Sequence, residues 1–213
     1  VTSICQDSRG FMWFGTYDGL NRYDGITFKV FKFQPDDSTS ISHNGIISIF
    51  EDHKGNLWVG TYGGGLNLYN REKESFRRFK ADPSDINSLG SDIVRHIFED
   101  QDHNLWVGSW DGGLGLLDRE IMRFKPFRHD PDNPNSLVDN RISCISQDKS
   151  GCLWIATAGG VSRFDYRNHS FTNYTHDPDN PNSISHNDIA AIHVDPGDDV
   201  WIGAWGYGLN RLN

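Results

Sequence analysis

The sequence predicts an all-β fold: a β-propeller of four-stranded antiparallel blades, with four complete blades and one partial blade of a ring expected to hold seven. Three observations carry this. A unit of 45–48 residues recurs along the 213-residue chain, every unit carries the same landmarks, and polar turns separate short apolar runs with no long 3.6-residue periodicity. The composition agrees, since 22 Gly, 7 Trp and a 36% hydrophobic fraction suit many short strands joined by turns.

The repeat is anchored on Trp13, Trp58, Trp106, Trp154 and Trp201. Six residues before each stands Asp7, Asp52, Asp100, Asp148 or Asp195, and nine before stands Ile4, Ile49, Ile97, Ile145 or Ile192. After each Trp comes a Gly followed by an aliphatic residue: Gly19-Leu20, Gly65-Leu66, Gly113-Leu114, Gly160-Val161 and Gly208-Leu209. The units run roughly 1–44, 45–92, 93–140, 141–187 and 188–213.

Within a unit, the first strand ends at the Asp, as in Ile46 to Glu51, and the turn Asp52-His53-Lys54-Gly55 leads to a second strand over Leu57 to Thr61. There the Asp side chain can accept from backbone N–H groups ahead, and Gly supplies the left-handed position. A glycine-rich turn, Tyr62 to Gly65, precedes the third strand, and the fourth holds Phe76 and Phe79, recurring as Phe28/Phe31, Phe124/Phe127 and Phe171/Tyr174. The Pro-containing connectors Asp130 to Ser136 and Asp177 to Ser183 exclude helix and strand interior, so they cross the surface between blades. A β-solenoid is the competing architecture, but its coils are shorter and do not need four strands each. Each repeat Trp is expected to fill the wedge between adjacent sheets, where its burial contributes on the order of 3 kcal/mol or more. The repeated Asp and Gly read as turn chemistry.

The chain starts inside one unit's first strand and ends at Asn213 inside a third strand, so the segment is expected to continue in both directions as an arc of a larger ring. Twenty basic residues against 29 acidic ones, with no basic cluster, argue against a nucleic-acid surface. No apolar run is long enough to span a bilayer, so the segment is expected to make no membrane contact. Cys5, Cys144 and Cys152 have neither disulfide nor metal-ligand spacing and read as buried, inert thiols.

The stretches "EDHKGNLWVGTYGGGLNLYN", "EDQDHNLWVGSWDGGLGLLD" and "QDKSGCLWIATAGGVSRFD" resemble the two-component regulator propeller repeat, and the connectors "DPDNPNSLVDN" and "DPDNPNSISHN" resemble its linkers. The resemblance covers essentially the whole chain. It departs at Ala156, where the family has Gly, and at His103 and Asp198, which stand at turn glycines. It implies the periplasmic sensor part of a bacterial inner-membrane regulator, most often a histidine kinase and sometimes a diguanylate cyclase. It also implies seven blades, with relatives that sense oligosaccharides.

In a propeller, the loops between strands two and three and the blade connectors share one face around the central channel. Four residues after each repeat Trp the units read Tyr17, Tyr62, Trp110, Ala158 and Trp205, beside Asp18, Asp111 and Tyr207. Rings with nearby carboxylates suit sugars, whose C–H faces stack while their hydroxyls need acceptors. The same rings could instead pack on the next blade's loop. Eleven residues before each Trp, on the channel strand, stand Thr2, Ile47, Arg95, Ser143 and Ala190. Arg95 could bind a carboxylate or sulfate, but pairing with a neighbouring blade's acid is the favoured reading. His43 and His186 occupy equivalent connector sites, read as exposed, with Asn44 and Asn187 capping backbone, and Arg141 lies near them. Nine His in different registers converge on no catalytic or metal constellation, so no enzyme activity, cofactor or metal is expected of the segment. The expected partners are an oligosaccharide or similar small molecule, the remaining blades, and a second copy in a full-length homodimer. A protein-binding propeller is the alternative, and a lyase-like enzyme resembling the streptogramin lyase propeller is the remote one.

Overall fold

The structure, a computed structural model, describes residues 1–212, and every regular element in them is a β-strand. Asn213, which the repeat places at the end of the fifth unit's third strand, lies outside the described residues. Blade one is β1 (Ser3–Gln6), β2 (Met12–Thr16), β3 (Gly19–Tyr23) and β4 (Phe28–Phe31). Blade two is β5 (Ile46–Glu51), β6 (Leu57–Thr61), β7 (Leu66–Asn70) and β8 (Ser75–Phe79). Blade three is β9 (Val94–Glu99), β10 (Leu105–Ser109), β11 (Leu114–Asp118) and β12 (Arg123–Phe127). Blade four is β13 (Ile142–Gln147), β14 (Leu153–Thr157), β15 (Gly160–Asp165) and β16 (Ser170–Tyr174), and blade five has β17 (Ile189–Val194), β18 (Val200–Ala204) and β19 (Gly208–Leu212).

Each blade is an antiparallel meander in chain order. The first strands β1, β5, β9, β13 and β17 pack side by side, so they form the inner wall and the fourth strands the rim. This is an arc of β-propeller.

The wedge between blades is where the sequence landmarks act. Four apolar cores form, one per pair of consecutive blades, and each contains one repeat Trp: Trp13, Trp58, Trp106 and Trp154. Trp201 is half-buried, on the face of blade five that no other blade of this chain covers. The repeated Asp does more than close a turn. Asp52 Oδ1 accepts the backbone N–H groups of Lys54 and Asn56, while Oδ2 accepts the Trp58 indole N–H at 2.9 Å. The other four units repeat the indole bond at 2.7–3.0 Å. One carboxylate therefore shapes the turn and fixes the orientation of the buried ring.

Two arginines then clasp blade to blade. Arg71 of blade two donates to Asp7 of blade one at 2.7 Å, and Arg119 of blade three donates to Asp52 of blade two at 2.5 Å. Tyr166 replaces that arginine in blade four and packs edge-on against Trp106 at 5.3 Å, and Asp148 pairs with Arg163 of its own sheet. His103 and Asp198 adopt φ of +64° and +77°, the left-handed conformation that the glycines at this position take in the other blades. Cys152 is buried, but Cys5 and Cys144 are only half-buried, which corrects the expectation of three buried thiols; both lie on first strands and pack at the edge of an inter-blade core.

Candidate functional site

The site is built where the loops between strands two and three meet the inner strands. In blade two the Thr61 hydroxyl donates to the Gly65 carbonyl, and Thr16, Ser109 and Thr157 do the same in their blades. Gly113 closes its loop at φ +75°, where a Cβ would collide with the Phe127 carbonyl. In blades two to five the residue that follows, at the ring position, is held by its own N–H. Tyr62 N–H donates to Gly45 O, Trp110 to Ile93 O, Ala158 to Arg141 O and Trp205 to Asp188 O, all at 2.8–3.0 Å. Loop and connector are thus one layer on one face, as the repeat predicts, and the ring position is rigidly presented.

The rings reach solvent to different degrees. Tyr17 is 78% exposed, Tyr62 54%, Trp110 37% and Trp205 71%. Asp111 beside Trp110 is exposed and takes no hydrogen bond among the described residues, whereas Asp18 is paired with Lys32 at 2.7 Å.

On the channel strands the structure adds a feature that the repeat did not show. The pairing of first and second strands slips at Ile47, Arg95, Ser143 and Ala190, so each is the extra residue of a β-bulge. A bulge leaves its residue out of the ladder and re-aims its side chain. Ile47, Arg95 and Ser143, with Thr2, line a cavity of about 720 Å³ along the inner wall, which Tyr17 also borders. Thr2 and Ser143 spend their hydroxyls on the next blade, at Ile46 O and Ile189 O. Arg95 makes no ion pair among the described residues, against the expectation of a neighbouring acid: the residues facing it across the wall are Thr2, Ile47 and Ser143. Its guanidinium instead lies 5.2 Å from the Trp110 ring centroid, a cation–π arrangement worth ~1 kcal/mol.

The connector residues have structural work. His43 and His186 are half-buried rather than exposed, because each Nδ1 accepts the N–H two residues on, from Gly45 and Asp188. Asn44 and Asn187 cap as expected, accepting from Phe33 and His176, and Asn140 does the same for His129. Arg141 is held by both carboxylate oxygens of Asp139, and Tyr207 stacks on His186 at 4.0 Å. Of the predicted residues, the structure therefore brings Tyr17 and Arg95 to the cavity, with Trp110 stacked against the arginine. Tyr62 and Asp111 stand exposed on the same loops, and Trp205 lies at the far blade.

His96, one residue beyond the bulge, is a wall residue that the repeat reading missed. Its Nδ1 is buried with no hydrogen-bond partner, and burial pushes its pKa down to about 4, so the imidazole is neutral. The signal was its register: ten residues before each Trp the other units carry Ser3, Ser48, Cys144 and Ala191. On the opposite face, His53, Glu99 and His103 converge, which sequence spacing also failed to reveal.

Residues 1–18, 40–63, 88–111 and 136–159 each match the two component regulator propeller family model. A 42-residue stretch is 57% identical to histidine kinase P4 of Formosa agariphila, covering 20% of this chain and 3% of that protein. Among solved structures, the extracellular domain assigned to hybrid two component system BT4673 of B. thetaiotaomicron matches with a TM-score of 0.79 at 23% identity, over 100% of this chain and 29% of that one. The corresponding domain of BT3049 matches at 0.59 and 24%, over 99% of this chain and 39% of that one. Virginiamycin B lyase from Staphylococcus aureus shares the fold, with a TM-score of 0.66 at 14% identity, over 98% of this chain and 68% of that one. The chain thus spans well under half of the two regulator domains.

Proposed function

The chain belongs to the two component regulator propeller family, and from that premise we propose that it is a non-catalytic periplasmic sensor segment. It binds an oligosaccharide or similar small molecule at the channel mouth, and the regulator relays occupancy to a cytoplasmic histidine kinase. The observation that carries the binding reading is Arg95: a bulged, half-buried cation, paired with no carboxylate among the described residues, stacked on Trp110 and opening on a cavity bordered by Tyr17. Such a group is costly to leave without a counter-charge unless a ligand or solvent supplies it. The rings supply the flat apolar faces that sugar C–H groups stack on. The likeness to extracellular domains of two-component systems supports the periplasmic placement.

Calorimetry of the intact sensor against a glycan panel tests this. Trp110→Ala and Tyr62→Ala should each weaken binding by about 1–3 kcal/mol with the fold retained, because neither ring lies in an inter-blade core. Arg95→Met should act selectively on ligands bearing carboxylate or sulfate. Unchanged affinity in all three variants would remove the site from these blades. Tight capture of a protein with no glycan affinity would instead favour the protein-binding reading, with the same rings as its hot spots.

A further inference from the structure

The repeat sets a second geometry, on the face opposite the channel-mouth loops. The residue just after the conserved Asp of one blade sits beside the residue three before the Trp of the next. Ser8 lies against Gly55, Gln101 against Gly151, and Lys149 donates its N–H to Asp198 at 2.9 Å. Between blades two and three this facing pair is His53 and His103. Their rings stack with centroids 3.9 Å apart and planes 24° from parallel. His103 holds φ +64°, where three of the other blades carry glycine.

Glu99 completes the arrangement. Its side chain is almost fully buried, and its Oε2 accepts the His53 backbone N–H at 2.8 Å. Its Oε1 lies 2.6 Å from His53 Nδ1 and also 2.6 Å from the Arg119 guanidinium. A carboxylate clasped by Arg119 can only accept, so His53 carries a proton on Nδ1, and in the neutral ring the lone pair is on Nε2. This is the carboxylate–imidazole arrangement that orients metal-binding histidines and raises their basicity. The His103 ring makes no hydrogen bond among the described residues and is exposed, so it is free to turn.

We propose that His53 and His103 bind a divalent transition-metal cation across the seam of blades two and three, with Glu99 orienting His53 and solvent completing the coordination. Potential ligand atoms of the three side chains already lie within 4.8 Å of one another. Two tetrahedral bonds of 2.0–2.1 Å need nitrogens about 3.3 Å apart, which rotation of the exposed His103 ring supplies. An imidazole pair selects Cu²⁺ most strongly, then Ni²⁺ and Zn²⁺, and leaves Mg²⁺ and Ca²⁺ unbound. Because the ligands come from two blades, the cation acts as a clip that only the folded arc can hold.

The test uses the full-length protein without a polyhistidine tag. Zinc calorimetry and copper electron paramagnetic resonance are run on wild type, His103→Gly and His53→Ser. Each substitution installs the residue that another blade uses at that position, so the fold is retained. The proposal expects a Zn²⁺ site in wild type that both variants weaken at least tenfold, and a two-nitrogen copper signature that both lose. It also expects a thermal midpoint that rises by about 5–10 °C in wild type at a metal concentration a hundred times its dissociation constant, and by at most about half as much in either variant. No Zn²⁺ uptake by wild type at millimolar metal, or equal affinity in wild type and His103→Gly, would overturn it.

Discussion

Replacing the turn Asp by Ala should cost different amounts in two neighbouring blades. In Asp52→Ala and in Asp100→Ala alike, a buried indole N–H loses its acceptor, from Trp58 in one case and Trp106 in the other. The two turn N–H groups and the Asn side chain that also lose contacts lie closer to solvent and can rehydrate. A buried donor left unpaired costs about 1–3 kcal/mol, so Asp100→Ala should lose about 2 kcal/mol. Asp52 additionally holds Arg119 at 2.5 Å, and the Arg119 Nε is already buried without a partner. Removing one partner of a buried pair costs about 3–5 kcal/mol, reduced here because Glu99 still holds the other guanidinium nitrogen, which leaves ~2 kcal/mol. Burial alone would raise the pKa of Asp52, yet the Trp58 indole, Arg119 and Asn56 outweigh burial and hold it at about 2 instead of 3.8. Asp52→Ala should therefore lose about 4 kcal/mol. Urea denaturation followed by tryptophan fluorescence reads both variants, and in an Arg119→Met background the excess cost of Asp52→Ala should vanish. Equal losses in the two single variants would refute the view that Arg119 clasps the seam through Asp52.

Acid should destabilise the arc in two windows. The folded pKa of His96, about 4, lies below the ordinary 6.5, so the unfolded chain binds the extra proton and about 3 kcal/mol is lost as pH falls from 6.5 to 4. His96→Ser, the residue of blades one and two, should flatten that window in a pH series of denaturation midpoints. Below pH 4 a second loss should follow, because Asp52 and the other turn carboxylates Asp7, Asp148 and Asp195 have folded pKa values below 3.8. Their stabilisation is present above that value and disappears as they protonate. Gly112→Ala should destabilise by about 1–3 kcal/mol, since a Cβ there would fall on the Gly90 backbone, and should weaken glycan binding by displacing the Trp110 loop. Calorimetry with parallel thermal melts checks it, and an unaffected melting point would show that the connector yields freely.

Much of this fold was legible because a blade repeat writes its own alignment. The Trp, Asp and Gly registers located the strands, and the wedge role of Trp58 and Trp106 followed from ring size alone. The candidate rings Tyr62 and Trp110 were equally legible, since one loop position varies within a fixed frame. The bulge that turns Arg95 out of the ladder was not, because a pairing slip depends on how two strands meet and leaves no mark in either strand's residue pattern. Nor was the local bonding of His43, His186 and Arg141: each His Nδ1 accepts a nearby backbone N–H, and Asp139 holds the guanidinium.

By itself the sequence determined what is local and periodic: strand order, turn chemistry, which rings are wedge and which are loop. Tertiary structure alone decided what joins residues about 50 positions apart. It set Arg119 on the carboxylate of the preceding blade and brought His53 and His103 ring to ring. The physical reason is that stacking blades is a choice of distance and angle between whole sheets. Each blade's own residues satisfy its ladder, but only their neighbours determine which charges, rings and lone pairs are left over at the seams.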